Sequence, residues 1–178
     1  MTEHVILVDE RDRDQGVLEK AQAHVEGRLH RALSVVVFGT DGRMLLQQRA
    51  LTKYHSGGLW TNTCCSHPRP GEATEAAAHR RLEEEMGFDC ALVLFHKFIY
   101  RAEVGGGLYE HELDHVFVGT ADVVPRCDPE EVMDWRYFPV DSLWRRLAAA
   151  PAEFTVWFHI VMGELAARGQ IAAPAMVR

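Results

Sequence analysis

Two short runs of the sequence combine residues that can bind a metal ion or move a proton. They are Cys65-Ser66-His67 and Glu110-His111-Glu112, and each lies in a stretch typical of a β-strand. Side chains alternate along a strand, so the cysteine and histidine of the first run share a face, as do the two glutamates of the second. With His24 and His30 upstream, three imidazoles and two carboxylates form a plausible ligand set for Zn²⁺, Mn²⁺ or Mg²⁺.

A third group of charged residues follows the first run. In register it comprises Ser66, Glu72, Arg80-Arg81-Leu82, Glu84-Glu85 and Gly87-Phe88. Carboxylates gathered on one helix suit a hard cation, and a cation beside arginines suits a diphosphate whose charge must be neutralised. The same composition also fits an ordinary charged surface helix.

The elements that must position these residues can be read from composition and turn signals. Strands are predicted at 4–8, 31–38, 43–49, 59–66, 92–103, 108–122 and 131–140, helices at 72–86, 142–149 and 152–167, and a short helix or loop at 17–26. Asp41-Gly42 indicates a hairpin, Gly87 the end of the first helix, Asp141 a cap and Pro151 the start of the last helix. The pattern predicts a single α+β domain over 1–178 with a mixed sheet.

Composition limits the class of protein. The chain has 178 residues, 47% of them apolar, and a net charge of −7, which is typical of a globular domain and unsuited to non-specific nucleic-acid binding. No apolar run approaches the ~20 residues that cross a bilayer, and the acidic start does not resemble a signal peptide. Cys64 and Cys65 are adjacent and poorly placed to pair, so we expect free thiols and a cytoplasmic location.

Longer motifs then identify a family. The run Thr61-Asn62-Thr63-Cys64-Cys65-Ser66-His67-Pro68, with Arg49-Ala50-Leu51-Thr52-Lys53, Tyr100-Arg101-Ala102 and Tyr109-Glu110-His111-Glu112, resembles the type 1 isopentenyl-diphosphate isomerases, which have the Nudix fold. The resemblance covers nearly the whole chain. The charged helix resembles the Nudix box with two departures, because Ser66 stands where the box begins with glycine and Arg81 where it has a glutamate.

The resemblance implies a fold and a set of site residues. It implies a Nudix-type mixed sheet flanked by helices, with an N-terminal extension that carries ligand histidines. The implied ligands of one Mn, Zn or Mg ion are His24, His30, His67, Glu110 and Glu112. The catalytic residues are Cys65, Glu112 and Tyr100. Glu85 would hold a second Mg²⁺ on the diphosphate, which Lys20, Arg49, Lys53, Ser66 and Arg81 would face, and Trp157 would lie over the hydrocarbon. His24 and His30 are one residue closer than in the family, so the segment between them must be tight.

The implied reaction converts isopentenyl diphosphate to dimethylallyl diphosphate. One group protonates the terminal alkene carbon, another removes a proton from C2, and an indole face stabilises the cation that forms between these steps. We assign protonation to Glu112 with Tyr100 and deprotonation to Cys65, and the sequence leaves the reverse assignment open.

Two alternatives belong to other functional classes. One is a Nudix pyrophosphohydrolase of nucleoside diphosphate derivatives, which would use a box glutamate at the position of Arg81. The other is a non-catalytic metal- or ligand-binding module. We further expect a small-molecule substrate, no nucleic-acid or membrane partner, and a monomer. Cys64 is expected to be a small buried residue. We expect packing or surface roles for the remaining histidines (His4, His55, His79, His96, His115 and His159).

Overall fold

The longest buried apolar run forms the centre of a mixed β-sheet. In the computed structural model, which describes residues 3–173, β3 (His30–Phe38) pairs antiparallel with three strands and parallel with one. The other strands are β1 (His4–Val8), β2 (Asp14–Glu19), β4 (Met44–Arg49), β5 (Trp60–Thr61), β6 (Cys64–Ser66), β7 (Leu92–Gly105), β8 (Leu108–Thr120) and β9 (Val132–Phe138). The predicted α+β class and mixed sheet are confirmed.

Both faces of this sheet are covered, which explains the continuous apolar sequence of β3. The helices are α1 (Lys20–Glu26), α2 (Thr74–Met86), α3 (Val140–Ala149) and α4 (Val156–Ala167). On one face, Val35 and Val37 pack with residues of α2. On the other, Val36 and Phe38 pack with residues of α3 and α4. None of the helices within residues 3–173 is long and apolar enough to cross a membrane.

Two sequence signals are confirmed at the ends of elements. Gly87 ends α2 in the left-handed conformation, at φ 71°, and its N–H bonds the carbonyl of Glu83. Asp41-Gly42 turns the chain between β3 and β4, with Gly42 at φ 80°. The three glycines 105–107 likewise join β7 to β8, as their positive φ angles allow.

Three predicted elements differ in the structure. The segment 17–26 contains the end of strand β2 as well as helix α1. The strand at 59–66 is divided into β5 and β6, because Thr63 Oγ1 bonds the backbones of Val37 and Leu45 in place of a strand pairing. The last helix begins at Val156 rather than 152. A 3₁₀ turn at Pro151–Glu153 comes first, and then Phe154 forms a bridge to Trp60 in the sheet.

Asp141 is not a cap. Helix α3 begins at Val140 with Pro139 in the N-cap position, and no side chain caps its first turn. Asp141 lies within that turn and pairs with Arg145 at 2.9 Å. A carboxylate there still interacts favourably with the helix dipole.

Candidate active site

One cavity of about 330 Å³ brings together most of the predicted site residues. The cavity opens where β3 and β4 diverge. The end of β3 pairs with the start of β4, Val37 with Leu45 and Phe38 with Met44, and the two strands separate beyond these pairs. The predicted residues that line it are Lys20, Arg49, Lys53, Cys65, Ser66, His67, Arg81, Tyr100, Glu110, Glu112 and Trp157. His24, His30 and Glu85 do not line the cavity but contact residues that do.

The five predicted metal ligands form one cluster. One nitrogen or oxygen atom from each of His24, His30, His67, Glu110 and Glu112 lies within 4.8 Å of all the others. His67 Nε2 is 3.2 Å from His30 Nε2 and 2.9 Å from Glu112 Oε1, and His24 Nε2 is 2.9 Å from Glu110 Oε2. The tight connection between His24 and His30 is made by Gly27, which ends α1 at φ 61°.

Backbone carbonyls orient two of the imidazoles. His24 Nδ1 lies 2.6 Å from the carbonyl of Lys20, and His30 Nδ1 lies 2.8 Å from that of Arg28. A carbonyl only accepts, so each Nδ1 carries the hydrogen and each Nε2 points into the cluster. Burial lowers the pKa of His24, but the Glu110 carboxylate outweighs it and the pKa is raised. The Glu110 carboxylate therefore favours positive charge at His24, whereas burial lowers the pKa of His67 to about 3 and keeps that imidazole neutral, as binding to a metal ion requires.

Three carboxyl groups lie in a row along one face of β8. Burial raises the pKa values of Glu110 and Glu112, but hydrogen bonds from imidazoles outweigh it and lower both. Tyr100 Oη donates to Glu112 Oε2 at 2.6 Å. Asp114 lacks such a hydrogen bond from an imidazole within the described residues, although Ser34 Oγ donates to it at 2.8 Å. Burial and the charge of Glu112 therefore raise the pKa of Asp114 to about 8.

A fixed set of hydrogen bonds holds the Cys65 thiol. Its Sγ donates to Asn62 Oδ1 at 2.9 Å and accepts from Trp157 Nε1 at 3.2 Å. The Nδ2 atom of Asn62 donates to the carbonyls of Val35 and Cys64. Because Nδ2 is occupied in this way, the amide oxygen must face the thiol.

The two adjacent cysteines lie on opposite faces, as strand alternation predicted. Cys65 lines the cavity, whereas Cys64 is fully buried beneath α2. Burial and, to a smaller extent, the nearby Asp114 raise the pKa of Cys65 to about 12, although Thr61 and Arg49 act in the opposite direction. Burial also raises the pKa of Cys64. Cys65 is therefore a neutral thiol in the free protein at neutral pH.

A second part of the cavity lining, the cationic wall, consists of Lys20, Arg49, Lys53 and Arg81, of which Lys20, Lys53 and Arg81 pair with carboxylates. Arg81 bonds Glu85 and, at 3.1 Å, Glu131, which also pairs with Lys53. Arg49 lies over the Trp157 ring, 5.2 Å from its centre. The Nε atoms of Arg49 and Arg81 are buried and have no hydrogen-bond partner among residues 3–173. An anion in the cavity would satisfy donors of this kind.

The rim of the cavity holds Lys20. Its Nζ bonds the exposed carboxylate of Glu3 at 2.8 Å and lies 5.3 Å from the centre of the Tyr54 ring. Lys20 is therefore the predicted anion-binding residue that pairs with a carboxylate near the N-terminus, that of Glu3.

Several residues of the site were missed by sequence reasoning. They are Tyr54 and His55 beside His24, Asn62 beside Cys65, Glu131 between Lys53 and Arg81, and Asp114 beyond Glu112. The alternation Glu110-x-Glu112-x-Asp114 was a signal for the last of these. For the loop residues no periodic pattern was available.

Comparison with known protein families gives one match over most of the chain. Residues 28–158 match the NUDIX domain. The crystal structure of DR0079 from Deinococcus radiodurans is similar in fold, with a TM-score of 0.74 over 89% of this chain and 97% of that one, at 18% sequence identity. The NUDIX structure of Shewanella oneidensis NrtR has a TM-score of 0.59 at 14% identity, over 79% of this chain and 86% of that one.

Much closer relatives are found by sequence. The isopentenyl-diphosphate Delta-isomerase of Pectobacterium atrosepticum is 52% identical over 161 residues, which is 90% of each chain. The protein of the same name from Burkholderia multivorans is 53% identical, over 91% of this chain and 92% of its own. A third, from Serratia proteamaculans, is 50% identical over 94% of this chain and 93% of its own.

Proposed function

The chain belongs to the NUDIX domain family and, within it, to the isopentenyl-diphosphate Delta-isomerases, and we propose that it converts isopentenyl diphosphate to dimethylallyl diphosphate in the cavity described above. The observation that carries this proposal is the arrangement of proton-carrying groups. Cys65, the Glu112–Tyr100 pair and the Trp157 indole all line one cavity together with four cationic side chains.

The chemistry requires one proton to arrive and another to leave. A proton adds to C4, the terminal alkene carbon, and the electron pair of the double bond forms the new C–H bond, which leaves a tertiary cation at C3. Loss of a C2 proton then forms the C2–C3 double bond. An alkene is a weak base, so the donor must be held close and water must be excluded.

Four of the residues that line the cavity have a proposed part in these two proton transfers. The Glu112–Tyr100 pair protonates C4, because the 2.6 Å hydrogen bond lets the two oxygens share one proton. Cys65 takes the C2 proton as a thiolate, so its thiol must first release its own proton to solvent through the open cavity, a loss that the charge of the nearby Arg49 favours. The indole of Trp157 faces the transient cation, where a desolvated cation–π contact contributes on the order of 2 kcal/mol.

The diphosphate would lie against the cationic wall. Arg49 and Arg81 offer buried N–H groups that have no acceptor within the described residues. We assign Lys20, Lys53 and Ser66 to the same role, since all three line the cavity. Guanidinium groups suit this role because they are always charged and offer several N–H donors, although carboxylates already occupy two nitrogens of Arg81.

The five-residue cluster is the proposed metal site. His24, His30, His67, Glu110 and Glu112 would hold one divalent ion, and the donor set suits Mn, Zn or Mg. Such an ion would supply positive charge beside the carboxylate of Glu112. We further propose that Glu85 holds a Mg²⁺ that arrives with the diphosphate, as its buried position next to Arg81 allows.

One assay separates the isomerase from the two alternatives. The protein, with Mg²⁺ and Mn²⁺, is incubated with isopentenyl diphosphate in D₂O, and we expect dimethylallyl diphosphate with deuterium in a methyl group. Phosphate or pyrophosphate release from nucleoside diphosphate derivatives, with no isomerisation, would favour the hydrolase. Neither activity would favour a binding module.

The same experiment tests the direction of proton transfer. If Glu112–Tyr100 protonates C4, the Cys65→Ala variant should still exchange deuterium into the C4 methylene of unreacted substrate, because the cation can return its proton. Glu112→Gln should not. The reverse result would assign protonation to Cys65.

We propose a monomer with a small diphosphate substrate, in the cytoplasm, folded as one domain over 1–178. Residues 1–2 and 174–178 of that domain lie outside the described part of the chain. Sedimentation of the purified protein and limited proteolysis would test the monomer and the single domain.

A further inference from the structure

A fourth buried histidine touches the metal-ligand cluster without being one of its members. His55 lies in the connection between β4 and β5 and is 9% exposed. Its Nε2 is 3.0 Å from Glu110 Oε1. It is not among the five residues whose ligand atoms all lie within 4.8 Å of one another, so its contact with the cluster runs through Glu110.

The two oxygens of Glu110 therefore have different partners. Oε2 faces His24, at 2.9 Å, on the side of the cluster, while Oε1 faces His55. A carboxylate only accepts hydrogen bonds, so the Nε2–H of His55 donates to Oε1. The other ring nitrogen, Nδ1, lies 3.2 Å from Ser56 Oγ, whose hydroxyl can donate to it. A neutral imidazole is thus satisfied at both nitrogens in this orientation.

The backbone and the ring of His55 are also fixed. Arg49 donates to the His55 carbonyl at 3.3 Å, and the next residue, Ser56, adopts a left-handed φ of 52° that a serine rarely takes without support. The imidazole lies perpendicular to the Trp157 indole, 5.7 Å between ring centres. The side chain therefore has little freedom to turn away from Glu110.

We propose that His55 is a positioning residue that holds Oε1 of Glu110 and so presents Oε2 to the metal ion. The inference rests on the proposed metal site. Partners of this kind fix the orientation of a ligand, and their removal costs about 10- to 100-fold in metal affinity. His55 acts through Glu110, and it meets the cationic wall through its backbone carbonyl, which accepts from Arg49 and is retained in every variant.

The test is direct metal binding. Apo-protein, prepared with a chelator, is titrated with Mn²⁺ alone in competition with a chromogenic chelator. His55→Leu and His55→Ala both remove the donor, and His55→Gln retains one. His79→Leu is the matched control, since His79 also contacts a carboxylate, Asp89 at 2.6 Å, but outside the cavity. Thermal melts identify any variant that has lost its fold, and the remaining His55 variants carry the comparison.

We expect His55→Leu and His55→Ala to bind Mn²⁺ about 10- to 100-fold more weakly than the wild type. His55→Gln should recover most of the loss, and His79→Leu should bind as the wild type does. At saturating Mn²⁺ the KM for isopentenyl diphosphate should be unchanged in His79→Leu. A purely structural role would lower the melting temperature without moving the Mn²⁺ affinity.

Three outcomes overturn the proposal, and each has a different meaning. If the wild type binds no Mn²⁺, the metal site itself is wrong and His55 loses its role with it. If folded His55→Leu binds Mn²⁺ like the wild type, only the role of His55 is wrong. If the number of imidazole nitrogens that electron spin-echo spectroscopy detects on bound Mn²⁺ falls in His55→Gln, His55 is itself a ligand.

Discussion

Replacing Arg81 with alanine should lower the stability of the fold and weaken substrate binding, and the two effects can be measured separately. The guanidinium bonds three carboxylates, those of Glu84, Glu85 and Glu131. Glu85 is almost completely buried, and apart from Arg81 its carboxylate is held by Gln47 Nε2, at 2.9 Å. The alanine variant would leave this buried carboxylate without its cation.

The size of the first effect follows from burial. Removing one partner of a buried ion pair costs about 3–5 kcal/mol. The Arg81 side chain is 17% exposed and that of Glu84 is 39% exposed, so water screens part of the interaction. We therefore expect the lower end, about 3 kcal/mol, which for a chain of this length lowers the melting temperature by about 6–12 °C.

The second effect concerns the diphosphate. A charge-assisted hydrogen bond to the substrate contributes about 1.5–3 kcal/mol, so its loss should raise KM about 10- to 150-fold. The buried and unpartnered Nε of Arg81 is the donor that such a contact would use. Because carboxylates already occupy the other two nitrogens, one hydrogen bond to the diphosphate, rather than a bidentate pair, sets the expected size.

The neighbouring Arg80 offers a matched control. It lies on the same helix and pairs with Glu72 and Glu84, but it does not line the cavity with Arg81. Arg80→Ala should cost about 1 kcal/mol and leave KM unchanged. Urea titrations give the stability of both variants, and steady-state kinetics with excess Mg²⁺, well below the melting temperature, give KM.

Two results would refute this reasoning in different places. Equal losses of stability in the Arg81 and Arg80 variants would show that the guanidinium of Arg81 does not neutralise Glu85. An Arg81→Ala enzyme with unchanged KM would show that its Nε does not reach the substrate. A gain of phosphate release in Arg81→Glu would contradict the assignment of Arg81 as an anchor rather than the missing part of a hydrolase.

Two further predictions concern a cysteine pair and a buried carboxylate. Cys65→Ala should abolish turnover. Cys64 is fully buried beneath α2, so Cys64→Ala should keep its activity and lose about 1 kcal/mol of stability. An equal loss of activity in the two variants would disprove the opposite orientation of the thiols. Asp12 accepts hydrogen bonds from Arg31, Lys97 and His115. Burial raises the pKa of Asp12, but the bonds from Lys97 and Arg31 outweigh it and lower the pKa from 3.8 to about 2. The ionised group therefore contributes about 1 kcal/mol, after screening, that is present above pH 3.8 and lost as the pH falls towards 2. Urea titrations at about pH 6 should show Asp12→Asn to be about 1 kcal/mol less stable than the wild type. Near pH 2, where Asp12 of the wild type becomes protonated, this difference in stability should disappear.

The parts of the site that follow from local periodicity could be predicted from the sequence. Strand alternation sufficed to separate Cys64 from Cys65 and to place Glu110 and Glu112 on one face. The end of α2 at Gly87 followed from the conformational freedom of glycine. In each case the deciding interaction lies within a few residues of the chain.

The parts that were missed depend on contacts between distant segments. Asn62 matters because its amide is fixed by carbonyls of β3 and β6, 27 and two residues away, and nothing in its own neighbourhood shows this. From the sequence, His55 cannot be distinguished from any other loop histidine, because its partner Glu110 lies on the distant strand β8. Similarly, α4 begins at Val156 rather than at the predicted residue 152, because Phe154 forms a β-bridge with Trp60, which lies far earlier in the chain.

The charge distribution explains how an acidic chain can receive a diphosphate, which carries several negative charges. Net charge is −7, yet four cationic side chains line one cavity, and three of them already have carboxylate partners: Lys20 with Glu3, and Lys53 and Arg81 with Glu131. A substrate can therefore bind by exchanging partners, which costs less desolvation than uncovering a bare cation. Glu3 is largely exposed and can leave Lys20 for water, whereas the partly buried Glu131 holds Lys53 and Arg81 together. The rim of the cavity is thus the side where the diphosphate can displace a carboxylate, and the buried wall is the side where its position is fixed.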